Sequence, residues 1–175
     1  AAVQPRLVFA LCLLFAAPLR AAETTDTLDF TGRLAAIAPD NILRGPGYYV
    51  WCGTGIRGED GKYYLFYSRW KAGTEGRALE DLPRHKDMSG WMKYSEIAVA
   101  VSASPTGPFR PLRTAFTGSG DPGRWDQFNA HNPHVRRFGG KIYLYHIAQR
   151  PVEHPDPWLR YADGQRIGVV IANSV

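Results

Sequence analysis

The sequence predicts an all-β chain of repeated antiparallel sheets, and three observations carry that expectation. A strand, turn, strand unit, EDGKYYLFYSRW and then SEIAVAVSASPTGPF, returns in degraded form as GGKIYLYHIAQR and QRIGVVIANSV. Aromatic residues make up 13% of the chain beside 18 Gly and 13 Pro, a composition that favours many strands and turns over helices. Gly61 and Gly140 head equivalent turns, and Ile97 and Ile167 sit in equivalent strands, so the copies differ only in loop length. A period of roughly 70 to 80 residues exceeds the ~40 to 50 of common propeller blades, and long loops account for the excess.

Each element follows from local pattern. Residues 1–22 read as a signal peptide: Arg6 precedes the apolar run Leu7 to Ala17, and small residues at Ala21 and Ala22 offer the cleavage site. The run is shorter than the ~20 residues of a spanning helix, so export without a membrane span is expected. Cleavage removes Cys12 and leaves Cys52, expected as a buried small apolar residue with no disulfide. Residues 23–47 are a lead-in. Residues 48–175 are expected to form a partial propeller of two to two and a half blades, with the chain a piece of a longer protein.

In the first blade, Tyr48 to Ile56 is an apolar run suited to an inner strand, Arg57 to Gly61 a charged turn, and Lys62 to Ser68 a second strand rich in aromatics. Glu96 to Ser102 is the third strand. The turn SASPTGPF, stiffened by Pro105, Gly107 and Pro108, leads to a fourth from Phe109 to Phe116. The second blade opens at His131, turns at Gly139 and Gly140, continues from Lys141 to Ile147, and has a third strand from Arg166.

Loop length separates the two ends of each blade. The links Lys71 to Tyr94, Thr117 to Ala130 and Pro151 to Gln165 are long and carry Trp91, Trp125 and Trp158, and strand direction places all three on one face. The same geometry brings Trp51, Arg69, Trp70, Glu96, His131, Asn132, His146 and Arg166 to that face. Indole faces stack on the C–H surfaces of sugar rings, while Arg, Asn, His and carboxylates hydrogen-bond to hydroxyls, so a carbohydrate partner is expected. Each residue also has a plain structural reading: Trp51 as core, Arg69 as an ion-pair partner of Glu96, Asn132 as a turn cap before Pro133. His131 and His134, three apart on a strand, are expected to point to opposite sides, which argues against a metal pair. A formal net charge of +5 without a continuous basic run argues against nucleic acid.

The strings DGKYYLFYSRW, SEIAVAVSASPTGPF, HNPHV with GGKIYLYHIA, and RIGVVIANSV resemble the blades of family 43 glycoside hydrolases and related five-bladed β-propeller glycosidases, over roughly Val50 to Val175. The resemblance implies an incomplete five-bladed propeller of four-stranded blades. It also implies hydrolysis of plant or algal type oligosaccharides or polysaccharides by inversion. No cofactor is implied, and an ion on the propeller axis is left open.

Relatives would use a carboxylate base, a general acid and a third carboxylate that tunes the acid, with two Asp at the beginnings of inner strands. Here His131-Asn132-Pro133 and Trp51-Cys52-Gly53 stand at those places. Neither amide nor indole can take a proton from water, so the catalytic candidates become Glu96 and Asp126, with Asp40 nearby, and the acid is expected from a later blade beyond Val175. Glycoside hydrolysis needs one protonated and one ionised carboxyl group. Beside Arg69, Glu96 would be held ionised, which suits a base and not the acid. The substrate-binding candidates are Trp51, Arg69, Trp70, His131, Asn132 and His146, and the alternative to an enzyme is a non-catalytic carbohydrate-binding propeller.

Overall fold

The computed structural model describes residues 36–73 and 90–175. The expected signal peptide, most of the lead-in, and positions 74–89 of the first long link lie outside the described residues. Among the described residues, seven strands form two antiparallel sheets. The first contains β1 (Tyr48–Arg57), β2 (Tyr63–Lys71), β3 (Glu96–Ser102) and β4 (Arg110–Phe116) in sequential order; the second contains β5 (His131–Phe138), β6 (Lys141–Gln149) and β7 (Gln165–Ala172). Both sheets are simple meanders: short turns join β1 to β2, β3 to β4 and β5 to β6, and the long links bring β3 and β7 back beside β2 and β6. The β5–β6 turn uses Gly139 and Gly140, both at positive φ (55° and 74°), as a two-residue hairpin with right-handed strand twist requires.

Among the described residues, two short helices interrupt the long links. α1 (Trp91–Tyr94) and α2 (Pro157–Ala162) each precede the third strand of their own sheet. They carry W-M-K-Y at 91–94 and W-L-R-Y at 158–161, so the repeat extends into segments that periodicity alone marked only as loops. Pro157 at the first helical position and the Asp156 carboxylate, which accepts the Trp158 N–H at 2.8 Å, start α2. Indoles 91 and 158 meet edge to face at 6.3 Å over the fully buried Met92, which ties the two links together.

Side-chain alternation assigns the two faces of the first sheet. Phe66, Ile97 and Val99 pack against Val135, Ile142 and Leu144 of the second sheet, and Ala130 closes this core. Burying each of the large aliphatic or aromatic groups contributes about 1.5 to 3 kcal/mol. Tyr67, Ala98 and Ala100 face the other way, covered by Leu43 from the lead-in, Val50 and Phe109. Hydrogen bonds cross between the sheets: Asn132 N–H donates to Ser68 Oγ at 2.8 Å, Val135 N–H to Thr54 Oγ1 at 3.4 Å, and Arg137 Nη2 to Arg57 O at 3.5 Å.

Both first strands break at the same place. The ladder slips between Trp51 and Gly53 and again between His131 and His134, and the bulged residues Cys52 and Asn132 have φ of 40° and 50°. An extra residue leaves its N–H outside the ladder; for Asn132 that N–H is the one taken by Ser68. One expectation changes here. Cys52 is an exposed free thiol and not a buried apolar residue, because the bulge turns it out of the sheet. His131 is buried and His134 exposed, and the bulge between them moves the ladder from Ile147 to Tyr145. Among the described residues, no group of three or more His, Cys, Asp or Glu is arranged to hold a metal ion, and no helix is long and apolar enough to cross a membrane.

Candidate carbohydrate site

The strand starts and ends that precede or follow the long links share one end of both sheets. Register makes this plain: Tyr48 pairs with Lys71, Arg69 with Glu96, His131 with Ile147, and Gln149 with Gln165. At this end a cleft of about 210 Å³ opens between the two sheets. Indoles of Trp51, Trp70 and Trp91 form its apolar walls, and Ser68, Ser95, His131, Asn132 and Gln165 supply its polar ones.

Local structure explains each wall. Trp51 sits just before the bulge of β1 and is 55% exposed, so it is presented to the cleft and is not core. Trp70, on the same face of β2, is buried with its ring 5.6 Å from that of Tyr49. Trp91 is held through its backbone: Asn129 Nδ2 donates to Trp91 O at 3.0 Å, Gln149 Nε2 to Met92 O at 2.9 Å, and Ala130 N–H to Ser95 O at 3.0 Å. The buried amides of the second sheet thus position an aromatic wall that belongs to the first. The Trp91 ring in turn meets the His131 ring edge on at 5.1 Å.

Three polar atoms of this cleft are buried with no hydrogen-bond partner among the described residues: Trp70 Nε1, Ser95 Oγ and His131 Nε2. An unmet buried donor or acceptor costs about 1 to 3 kcal/mol, so these three atoms call for partners from water, a ligand or residues outside those described. Burial also pushes the His131 imidazole down to about 4, so it is neutral at physiological pH and presents one donor and one acceptor nitrogen.

The remaining candidates lie elsewhere. Arg69 and Glu96 are on the opposite face of the first sheet, joined at 2.7 Å, with Thr114 Oγ1 bonded to both and the Tyr48 ring 4.5 Å beneath the guanidinium. Asp126 is buried and takes two hydrogen bonds of 2.8 Å from Arg124, which lower its carboxyl to about 2. His146 lies between Phe116 and Trp125, with ring centroids 4.6 and 5.8 Å away, and burial lowers its pKa. Gly168 makes room for this stack, since a Cβ there would come within 2.5 Å of the Trp125 ring. Asp40 is exposed in the 3₁₀ turn Pro39–Asn41. Of the eight candidates, the cleft therefore gathers Trp51, Trp70, His131 and Asn132. It adds Ser68, Ser95, Trp91 and Gln165, of which Trp91 had a sequence signal in the repeated W-x-x-Y.

Neither a protein-family model nor a curated relative matches the sequence. Solved structures do. Zg3597, a family 117 glycoside hydrolase from the marine bacterium Zobellia galactanivorans, is 20% identical with a TM-score of 0.54, over 73% of this chain and 36% of that one. The GH43_1 enzyme from Xanthomonas citri, solved with xylotriose, is 21% identical with a TM-score of 0.49, over 81% and 33%. The chain spans about a third of the length of these proteins. At such identities the likeness is one of fold alone.

Proposed function

We propose that the protein is an exported glycoside hydrolase of β-propeller type, and that the cleft between the two sheets holds one sugar ring of a plant or algal type carbohydrate. The observation that carries this reading is the pairing of three indole walls with three unmet buried polar atoms. Indoles offer flat apolar surfaces to C–H groups, while the Trp70 N–H donates and Ser95 and neutral His131 each donate or accept toward hydroxyls. A purely apolar ligand would leave those atoms unsatisfied, and a charged one would meet no ionised side chain among the described walls.

Hydrolysis needs a proton donor and an ionised carboxylate on opposite sides of the bond. Asp126, held near 2, cannot be the donor at neutral pH. In this reading the described residues bind and orient the ring, and carboxyl groups outside them move the protons. One observation favours the non-catalytic alternative: no carboxylate lines the cleft among the described residues.

A panel of aryl glycosides, assayed for turnover and for binding, separates the two. Turnover that Trp91→Ala and His131→Ala each reduce by at least tenfold, while Glu96→Gln changes it little, is the expected result. Saturable sugar binding without turnover would leave only the binding module, and binding insensitive to both cleft substitutions would remove the site.

A further inference from the structure

A second cleft, of about 510 Å³, is lined by Arg124, Trp125, Arg150 and Arg166 with Gly123, Val152 and Gly164. It flanks the start of β7: Gln165 belongs to the first cleft, Gly164 and Arg166 to this one. Three guanidinium groups beside one indole are an unusual lining. We propose that it binds an oxyanion, a carboxylate or a sulfate ester, carried by the carbohydrate, so that the substrate is an acidic saccharide. This rests on the carbohydrate reading of the first cleft.

The charge balance supports it. Arg124 is matched by Asp126 through two hydrogen bonds, whereas Arg150 and Arg166 meet no carboxylate among the described residues. Arg150 Nη1 donates only to the carbonyls of Pro122 and Gly123, at 3.4 Å each, and Arg166 Nη1 only to those of Asp163 and Gln165, at 2.8 and 2.7 Å. Each guanidinium therefore keeps Nε and Nη2 for a ligand, and that fork fits the oxygens of a carboxylate or sulfate. Asp121, the other acid of this link, accepts the Gly123 N–H at 2.8 Å.

The repeat adds an independent argument. The pairing that places Arg69 beside Glu96 in the first sheet places Ala148 beside Arg166 in the second. At the position of a neutralised carboxylate stands a cation whose strand neighbour has no charge. Gly164 lets the start of β7 close onto the Arg150 carbonyl, where any Cβ would collide, so the backbones that carry the two free guanidinium groups are held together.

The test presents disaccharides in neutral, carboxylated and sulfated versions to the protein and to Arg150→Gln/Arg166→Gln, with binding measured by calorimetry at two salt concentrations. Both arginines are exposed, so the variant is expected to fold as the parent does. The expected result is at least roughly tenfold tighter binding of one charged version than of its neutral counterpart, lost in the variant and weakened by salt, with neutral binding unchanged. The version that gains identifies the anion. Equal binding of all three, insensitive to the arginine changes, would overturn the acidic-saccharide inference and leave the sugar cleft standing. Failure of every version to bind the folded protein would overturn both.

Discussion

β3 and β7 are the same strand written twice, and they meet opposite fates. Ile97 and Val99 are 0% and 1% exposed, whereas their counterparts Ile167 and Val169 are 78% and 45% exposed. Composition does not explain this, because the residues are nearly identical. The difference is a neighbour: the first sheet is covered by the second, while the corresponding side of the second sheet, with Tyr145 and Ile171 also exposed, meets nothing among the described residues. In a stack of sheets each hydrophobic face is written for the next module, so the same residues are core in one copy and surface in the other.

The largest test of that comparison places a charge at both positions. Ile97→Asp should unfold the protein, since an unpaired carboxylate in the core costs well over about 4 kcal/mol, while Ile167→Asp should move a urea midpoint by no more than about 0.5 kcal/mol in stability. Equal effects would mean that the second face is also covered. The exposed apolar stripe, and the edge of β7 that pairs with no strand among the described residues, further lead us to expect that a protein of residues 23–175 self-associates; a monomer with a sharp, reversible thermal transition would contradict this.

The two sheets should also differ in their response to acid. His131, with an ordinary pKa near 6.5, is pushed down to about 4 by burial, whereas its counterpart Trp51 does not titrate. The unfolded chain takes up the proton first. The contribution is therefore full above about pH 6.5 and is lost as pH falls from there through about 4, by roughly 3 kcal/mol from this residue. His131→Phe should flatten that part of the profile in pH-dependent denaturation, and an unchanged profile would assign the slope to other groups.

Smaller effects sharpen the picture. Gly168→Leu should cost about 1 to 3 kcal/mol by displacing Trp125 from its stack on His146, readable as a change in Trp fluorescence together with a lower thermal midpoint. Asp156→Ala should cost about 1 kcal/mol through the lost cap of α2. α1 has no side-chain cap, so no single comparable substitution exists in the first copy.

Much of the fold was legible from the chain. β3 falls at the expected Glu96 to Ser102, the other strands within a few residues, and the long links at one end, because alternation and turn residues are local properties. The helices in those links were not read, although W-M-K-Y and W-L-R-Y repeat, because runs of four to six residues give too little periodicity to distinguish helix from loop. Within the site, Trp70, His131 and Asn132 were placed by strand direction alone. Arg69 and Glu96 share that end of the sheet yet face away from the cleft.

What the sequence determined by itself is the sheet repeat and the end of it where aromatic and polar side chains collect, since both follow from neighbours along the chain. The tertiary structure decided which of those side chains share a cavity. Two bulges, at Cys52 and Asn132, reset the alternation of the first strands, and the docking of one sheet on the other made some matching positions walls and others ion pairs or surface. Those outcomes depend on contacts between residues far apart in the chain, which no local pattern encodes.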